Sequence, residues 1–296
     1  MKRTATGLLV GVALLVGAVP AGAQLEANLS TLTGDQTQGY LGPVATGLSA
    51  TMNSGIFRSG HVPQAGLNFT IDLKASRISF SDDDREYTTP EGEAFPSIDV
   101  PTVIGSTEAV TSTGPGGASF IYPGGFDLDA FGLAVPQLTI GSVMGTRAIV
   151  RFISLTLGDE DELGDFKFLG LGAQHSLSQY LTGLPIDLAV GAMWQNFTIG
   201  EDIVDATAMA FNVTGSKKFG MAVSLEPYVG LGLDSFTMDA EYTTTSTDET
   251  LNVEFDREND FHFTIGTGIN FPGVKLHGEF NVAAATGFAG GIGFGI

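Results

Sequence analysis

The chain has 296 residues, no cysteine, and 13 basic against 33 acidic side chains, a formal net charge of −20. That composition excludes disulfides and thiolate metal sites, and it excludes nucleic acid as a partner, which needs a basic footprint. Apolar residues make up 43% and charged ones only 16%, yet beyond residue 23 no apolar run reaches the roughly 20 residues of a membrane-spanning helix.

The first 23 residues read as an export signal. MKR supplies a basic start, TATGLLVGVALLVGAVP an apolar run, and AGA at 21 to 23 a small-residue site, so cleavage is expected after Ala23. Loss of Lys2 and Arg3 takes the net charge from −20 to −22. An exported apolar chain without a spanning helix leaves two architectures, a β-sandwich or a membrane β-barrel.

Residues 24 to about 60 lack strand periodicity. Their QLEANLSTL and YLGPVATGLSATMNSG portions read as short helical or irregular pieces punctuated by Gly and Pro. From residue 66 to the C-terminus apolar and polar positions alternate, as tilted strands with two unlike faces require. In PIDLAVGAMWQNF, Ile186, Leu188, Val190, Ala192 and Trp194 share one face, with Asp187, Gly191 and Gln195 on the other. The predicted strands are 67–80, 128–142, 146–157, 165–174, 185–198, 205–215, 221–241, 250–270, 274–284 and 287–296. The class is all-β: a transmembrane antiparallel barrel of about ten strands, in a range of roughly 8 to 14.

The connections alternate in kind. VMG at 143–145, SKKFG at 216–220, PG at 272–273 and HSLSQYLTG, with a short helix, make one set. The other set is more acidic: 81 to about 127 opening with SDDDREYTTPEGE, then GDEDELG, GEDIV and TTTSTDET. Short turns at one end and longer loops at the other are the asymmetry of outer-membrane barrels, and an even strand count puts both barrel termini at the short-turn end. The chain thus divides into a signal (1–23), an N-terminal segment (24–65) and a barrel (66–296).

If the apolar faces meet lipid, the other faces line the lumen. They carry glycine columns: Gly170 and Gly172, Gly230 and Gly232, Gly266 and Gly268, then Gly291, Gly293 and Gly295. Such columns leave room for another piece of chain, so residues 24 to 60 are expected to fold back as a plug, with Tyr40, Pro43, Asn53 and Gly55 as its candidate contact residues. The alternative is that these glycines only bend the sheet to closure. Arg147, Arg151, Glu226, Asp234, His277 and Glu279 fall on the lumen face, where opposite charges are expected to pair and hold the barrel or its plug.

Nothing in the sequence points to catalysis. No G-x-S-x-G, H-E-x-x-H or G-x-x-x-x-G-K-[ST] motif occurs, and His61, His175, His262 and His277 are scattered, so no catalytic residue, metal or cofactor is assigned. The acidic runs at 82–84 and 159–162 lack calcium-loop spacing and read as solvated loop.

Several stretches together resemble a known family. YLGPVATGLSATMNSGIFRSG, VPTVIG, AVPQLTIGSVMGTRAIVRF, GLGAQHSLSQYL and SLEPYVGLGLDS look like the successive motifs of a bacterial family of unknown function. That family is predicted to form outer-membrane barrels and is distantly similar to the long-chain fatty acid transporter group. The resemblance implies a lumenal N-terminal hatch and uptake of apolar molecules. The chain departs from that group in lacking an Asn-Pro-Ala element and in having fewer strands than the group implies. The expectation is an outer-membrane barrel, not an enzyme, in contact with membrane lipid and lipopolysaccharide and passing small apolar solutes. The alternative is a structural or adhesive barrel without transport.

Overall fold

The computed structural model describes residues 21–91, 95–156, 165–181, 183–200, 203–244 and 249–295. Residues 1–20 of the expected signal and the acidic run 159–162 lie outside these. Ten antiparallel strands form one closed meander: β1 (Ala65–Ser79), β2 (Ala130–Val143), β3 (Thr146–Thr156), β4 (Asp165–Ser176), β5 (Asp187–Ile199), β6 (Val204–Ser216), β7 (Ser224–Thr243), β8 (Thr250–Phe271), β9 (Val274–Val282) and β10 (Thr286–Gly295). Each pairs with its neighbours in sequence, β6 with β7, and β10 with β1 through register pairs such as Leu73↔Ile292 and Lys74↔Gly291. Closure pairs the first strand with the last, so neither is left as a free edge strand.

Two-residue turns set the short-turn end. Met144 and Gly145 both take positive φ, 53° and 75°, the backbone of a tight hairpin whose twist matches its strands. Pro272–Gly273 does the same work between Phe271 and Val274, with Gly273 at φ 81°. The expected helix in HSLSQYLTG is instead a turn. Ser178 explains it: its hydroxyl accepts the Leu188 N–H at 2.7 Å while its N–H reaches the Leu188 carbonyl, a side-chain alternative to helical bonding.

The outward face is apolar around the barrel, with Leu171, Phe211, Leu231, Ile265, Phe288 and Phe294 exposed. No helix among the described residues is long and apolar enough to cross a membrane. The inward face has two halves. Toward the short turns it is polar: Asp72, Lys74, Gln137, Arg151, Gln174, Gln195, Glu226, His277 and Glu279 are all buried. Toward the long loops it is apolar, with Leu133, Val135, Ile153, Phe166, Phe168, Phe197, Phe236 and Met238 in one buried cluster. The glycine columns and charges expected on the inward face do not describe this half: here both faces are apolar, and alternation cannot separate them.

Two helices occupy the lumen, α1 (Ala21–Leu29) and α2 (Gly34–Met52). Helix α2 starts with a capping box in which Thr33 and Gln36 satisfy each other's end of the first turn. It runs from the long loops, where Thr37 meets Tyr242, down to the barrel waist, where the Met52 carbonyl meets Arg151. The following residues continue to the short turns, where the Gly60 N–H reaches the Ser216 hydroxyl.

The segment after β1 is a folded lid rather than only a solvated acidic loop. It carries two small hairpins, Glu86–Thr88 with Asp99–Pro101 and Val110–Thr113 with Ser119–Tyr122. Its VPTVIG stretch is buried against α2: Val100, Val103 and Ile104 join the apolar cluster, and the Val103 N–H donates to the Tyr40 carbonyl at 2.9 Å. The DDD run remains exposed in a short 3-10 turn.

Candidate functional site

Arg151 sits where the two halves of the lumen meet. The alternation of β3, AIVRF, aims it inward, and it is 1% exposed. Its guanidinium donates to Gln137 Oε1 (2.9 Å), the Met52 carbonyl (2.9 Å), Gln195 Oε1 (2.9 Å) and the Ser54 carbonyl (3.0 Å). Two of these acceptors close the C-terminal end of α2, where carbonyls have no intrahelical partner and a cation is favoured. Gln195 also donates to the Met52 carbonyl and to Asn53 Oδ1. The plug is thus latched to β2, β3 and β5 through one guanidinium and two glutamines.

A second latch lies across the lumen. Glu279 accepts the Gly55 N–H at 2.7 Å, the Tyr228 hydroxyl at 2.7 Å and the Asn281 amide at 3.0 Å. Gly55 adopts φ 71°, a left-handed conformation that lets its N–H turn toward Glu279. Below it, Glu226 accepts from the hydroxyls of Ser59 and Ser216, while Arg147 donates to Gln174 and to the Ser59 carbonyl. Asp234 is bound by His262 at 2.6 Å, and His277 by Lys74 at 2.9 Å.

All six lumen candidates therefore line the interior, and Arg147, Arg151, Glu226 and Glu279 hydrogen-bond the plug directly. Opposite charges do meet between plug and wall where Arg58 lies 3.2 Å from Asp72 of β1, and within the wall His262 pairs with Asp234. Arg147, Arg151, Glu226 and Glu279 bond instead to neutral amides, hydroxyls and plug backbone. Such bonds satisfy buried groups without requiring two desolvated charges to meet.

Among the plug candidates, Tyr40 is fully buried and donates to the Gly124 carbonyl of the lid at 2.9 Å, while the Asn28 amide donates to its oxygen at 2.8 Å. Burial pushes the Tyr40 phenol up to about 12, the Asn28 bond opposing it. Tyr87 in the lid is raised by burial too. Pro43 lies buried within α2, and Asn53 caps its C-terminus.

The glycine columns act differently from expectation. Wall side chains cross them: a Cβ on Gly170 would meet Met193 Cε at 2.7 Å, and one on Gly266 would meet the Tyr228 ring. The close approaches between plug and wall are made largely by glycines of the plug. A Cβ on Gly47 would lie 3.2 Å from Phe131, and one on Gly60 would lie 2.7 Å from the Thr214 carbonyl oxygen and strike that of Asp187. Gly191 is a wall glycine facing the plug, against the Phe57 ring.

Sequence reading missed Gln137, Gln174, Lys74 and Tyr228. Gln137 and Gln174 were visible as polar residues at inward positions, but their role depends on register, which brings β2, β3, β4 and β5 side by side.

The wall itself has a split. The β2–β3 ladder runs from Val143↔Thr146 to Gln137↔Arg151 and stops there. Above that point residues 130–136 pair with β1, and residues 152–156 pair with β4, but not with each other. Pro136, the next residue of β2, has no N–H to give a ladder. Behind the split lies an apolar cavity of about 80 Å³ lined by residues including Leu41, Leu48, Phe131, Leu133 and Phe166.

Solved structures that match the chain include three bacterial proteins. They include OmpTdeltaL8, an outer membrane protein of Vibrio cholerae (8% identity, 79% of this chain and 100% of that one, TM-score 0.26). The toluene transporter TbuX of Ralstonia pickettii matches at 10% identity over 90% of this chain and 98% of that one, TM-score 0.26. A Pseudomonas aeruginosa FadL homologue matches at 9% identity over 84% and 95%, TM-score 0.23. Scores this low carry no argument about function. No curated protein matches the chain. A family model described as "Family of unknown function (DUF6588)" matches residues 1–296, and the chain belongs to that family.

Proposed function

We propose that this protein is an outer-membrane β-barrel that admits small apolar molecules passively, the plug yielding rather than any bond being made or broken. The observation that carries the reading is the split ladder in front of an apolar cavity. A barrel that served only as a rigid wall has no use for an unpaired stretch of backbone backed by a cavity lined with Leu, Val and Phe. An apolar molecule dissolved among lipid chains meets the outward face, and the split gives it a route to equally apolar surroundings inside. The tight latch at Arg151 and Glu279 supports gating by the residues between 40 and 60, because water-soluble solutes find the waist filled.

The chain lacks cysteine, so introduced thiols are specific. Ala134 and Ser154 face outward on either side of the split. Joining Ala134→Cys to Ser154→Cys with a bis-maleimide is expected to abolish protein-dependent entry of N-phenylnaphthylamine into intact Gram-negative cells expressing the chain. Each single cysteine treated alike should leave entry unchanged. Undiminished entry in the bridged protein would overturn the lateral route.

A further inference from the structure

The short-turn end of the lumen holds a second space, a cavity of about 490 Å³ beneath the plug. Four cationic side chains line it, Arg58, Arg147, Lys218 and Lys275, against one carboxylate, Glu226. This is an unusual concentration for a chain with 13 basic residues and a net charge of −20.

The local charges do not cancel. Arg58 lies 3.2 Å from Asp72, whose side chain is fully buried, and these two offset each other. Glu226 is already satisfied by the Ser59 and Ser216 hydroxyls. Arg147 has only the Gln174 amide and the Ser59 carbonyl, and Lys275 only the Thr70 hydroxyl at 2.9 Å. Neither makes an ion pair among the described residues. A cation in a low-dielectric cleft without a counter-ion raises the local concentration of anions. Ser142, 4% exposed and lining the same cavity, has a buried hydroxyl without a hydrogen-bond partner. Buried hydroxyls are normally bonded, so a free one calls for an acceptor. The rest of the lining is mixed, its buried aliphatic side chains being Ile56 and Ile149.

We infer that this vestibule binds a small amphipathic carboxylate. Arg147, Lys275 and the Ser142 hydroxyl recognise the charged end, and the aliphatic side chains cover a short apolar body. A space of this size that sets charged groups beside aliphatic side chains suits a small molecule with one charged end. The inference does not rest on lateral entry, because binding at equilibrium can be read with the plug in place and the split bridged.

Titration calorimetry on the full chain in detergent, with benzoate, benzamide and inorganic phosphate as probes, tests it. Benzoate is expected to bind saturably, benzamide not to bind, and phosphate not to displace benzoate at equal concentration. Lys275→Gln is expected to weaken benzoate about tenfold, and Lys275→Arg to restore it. Lys218→Gln, at an exposed position, is expected to weaken it about threefold at low salt and not at high salt. Equal binding of benzamide, or benzoate affinity unchanged in both Gln variants, overturns the inference. Displacement of benzoate by equal phosphate overturns the amphipathic part, since it shows an anion site indifferent to the apolar body.

Discussion

Arg151 makes four hydrogen bonds at the boundary between the polar and apolar halves of the lumen. Arg151→Leu removes the donor from the Ser54 carbonyl and from the Gln137 and Gln195 side-chain oxygens, leaving the Met52 carbonyl with Gln195 alone, at a cost of about 3 kcal/mol from unsatisfied buried acceptors. The expected signs are a lower temperature for the gel shift between folded and boiled barrel and faster protease cleavage within residues 40–60. Lysine is not a substitute, because a point charge cannot span four acceptors arranged around a fork. Tyr40 gives a prediction in pH. Its phenol is raised to about 12 in the folded protein, above the ordinary value near 10. The unfolded chain therefore releases that proton first, and stability falls as pH rises from about 10 to about 12. Tyr40→Phe should remove this component, seen as a shallower loss of stability in an alkaline denaturation series. The inward placement of Arg151 was legible in AIVRF. Its partners were not, since which glutamine faces it is decided by strand register rather than by anything local.

The plug is legible as an element in one sense and not in another. Loss of alternation before residue 65, with YLGPVATGLSATMNSG as a helical fragment, marks it out, and α2 spans nearly that stretch. The sequence reading placed the room for it in wall glycines, whereas Gly47 and Gly60 of the plug provide much of the close approach. Glycines on both sides look alike in a sequence, and only packing shows which ones wall side chains such as Met193 and Tyr228 already cover. Gly60→Ala tests the point. Its new methyl meets carbonyl oxygens of the wall, which cannot turn aside as a side chain would, so overpacking of roughly 1–3 kcal/mol is expected. Hydrogen exchange should rise at residues 55–60 while the barrel ladder stays protected. The lid was read as an acidic loop because its charges dominate the composition; VPTVIG, its buried part, is only six residues long.

At the scale of the whole molecule, the ten strands and their meander order followed from period-2 alternation and turn residues. The division of the lumen did not, because Ala206, Ala208 and Phe236 are as apolar as the residues facing outward beside them. The plug fills both halves. Deleting residues 24–60 is expected to leave the polar half open to water and to make proteoliposomes permeable to small sugars in a swelling assay, while the full chain stays closed. Equal permeability of the two proteins would show that wall side chains, not the plug, close the lumen.

The course of that segment bears on how the molecule is assembled. It enters among the long loops, passes the whole depth of the ring and leaves among the short turns, where it becomes β1, the strand that zips to β10. A finished ring could receive it only by threading some forty residues, several of them helical, through a waist already crowded with side chains. The sheet must instead curl around a helix that is already present, with the β1–β10 seam made last. The contacts of Arg151 and Glu279 with the plug would then guide the curling sheet, and they would begin to act before there is any lumen to close.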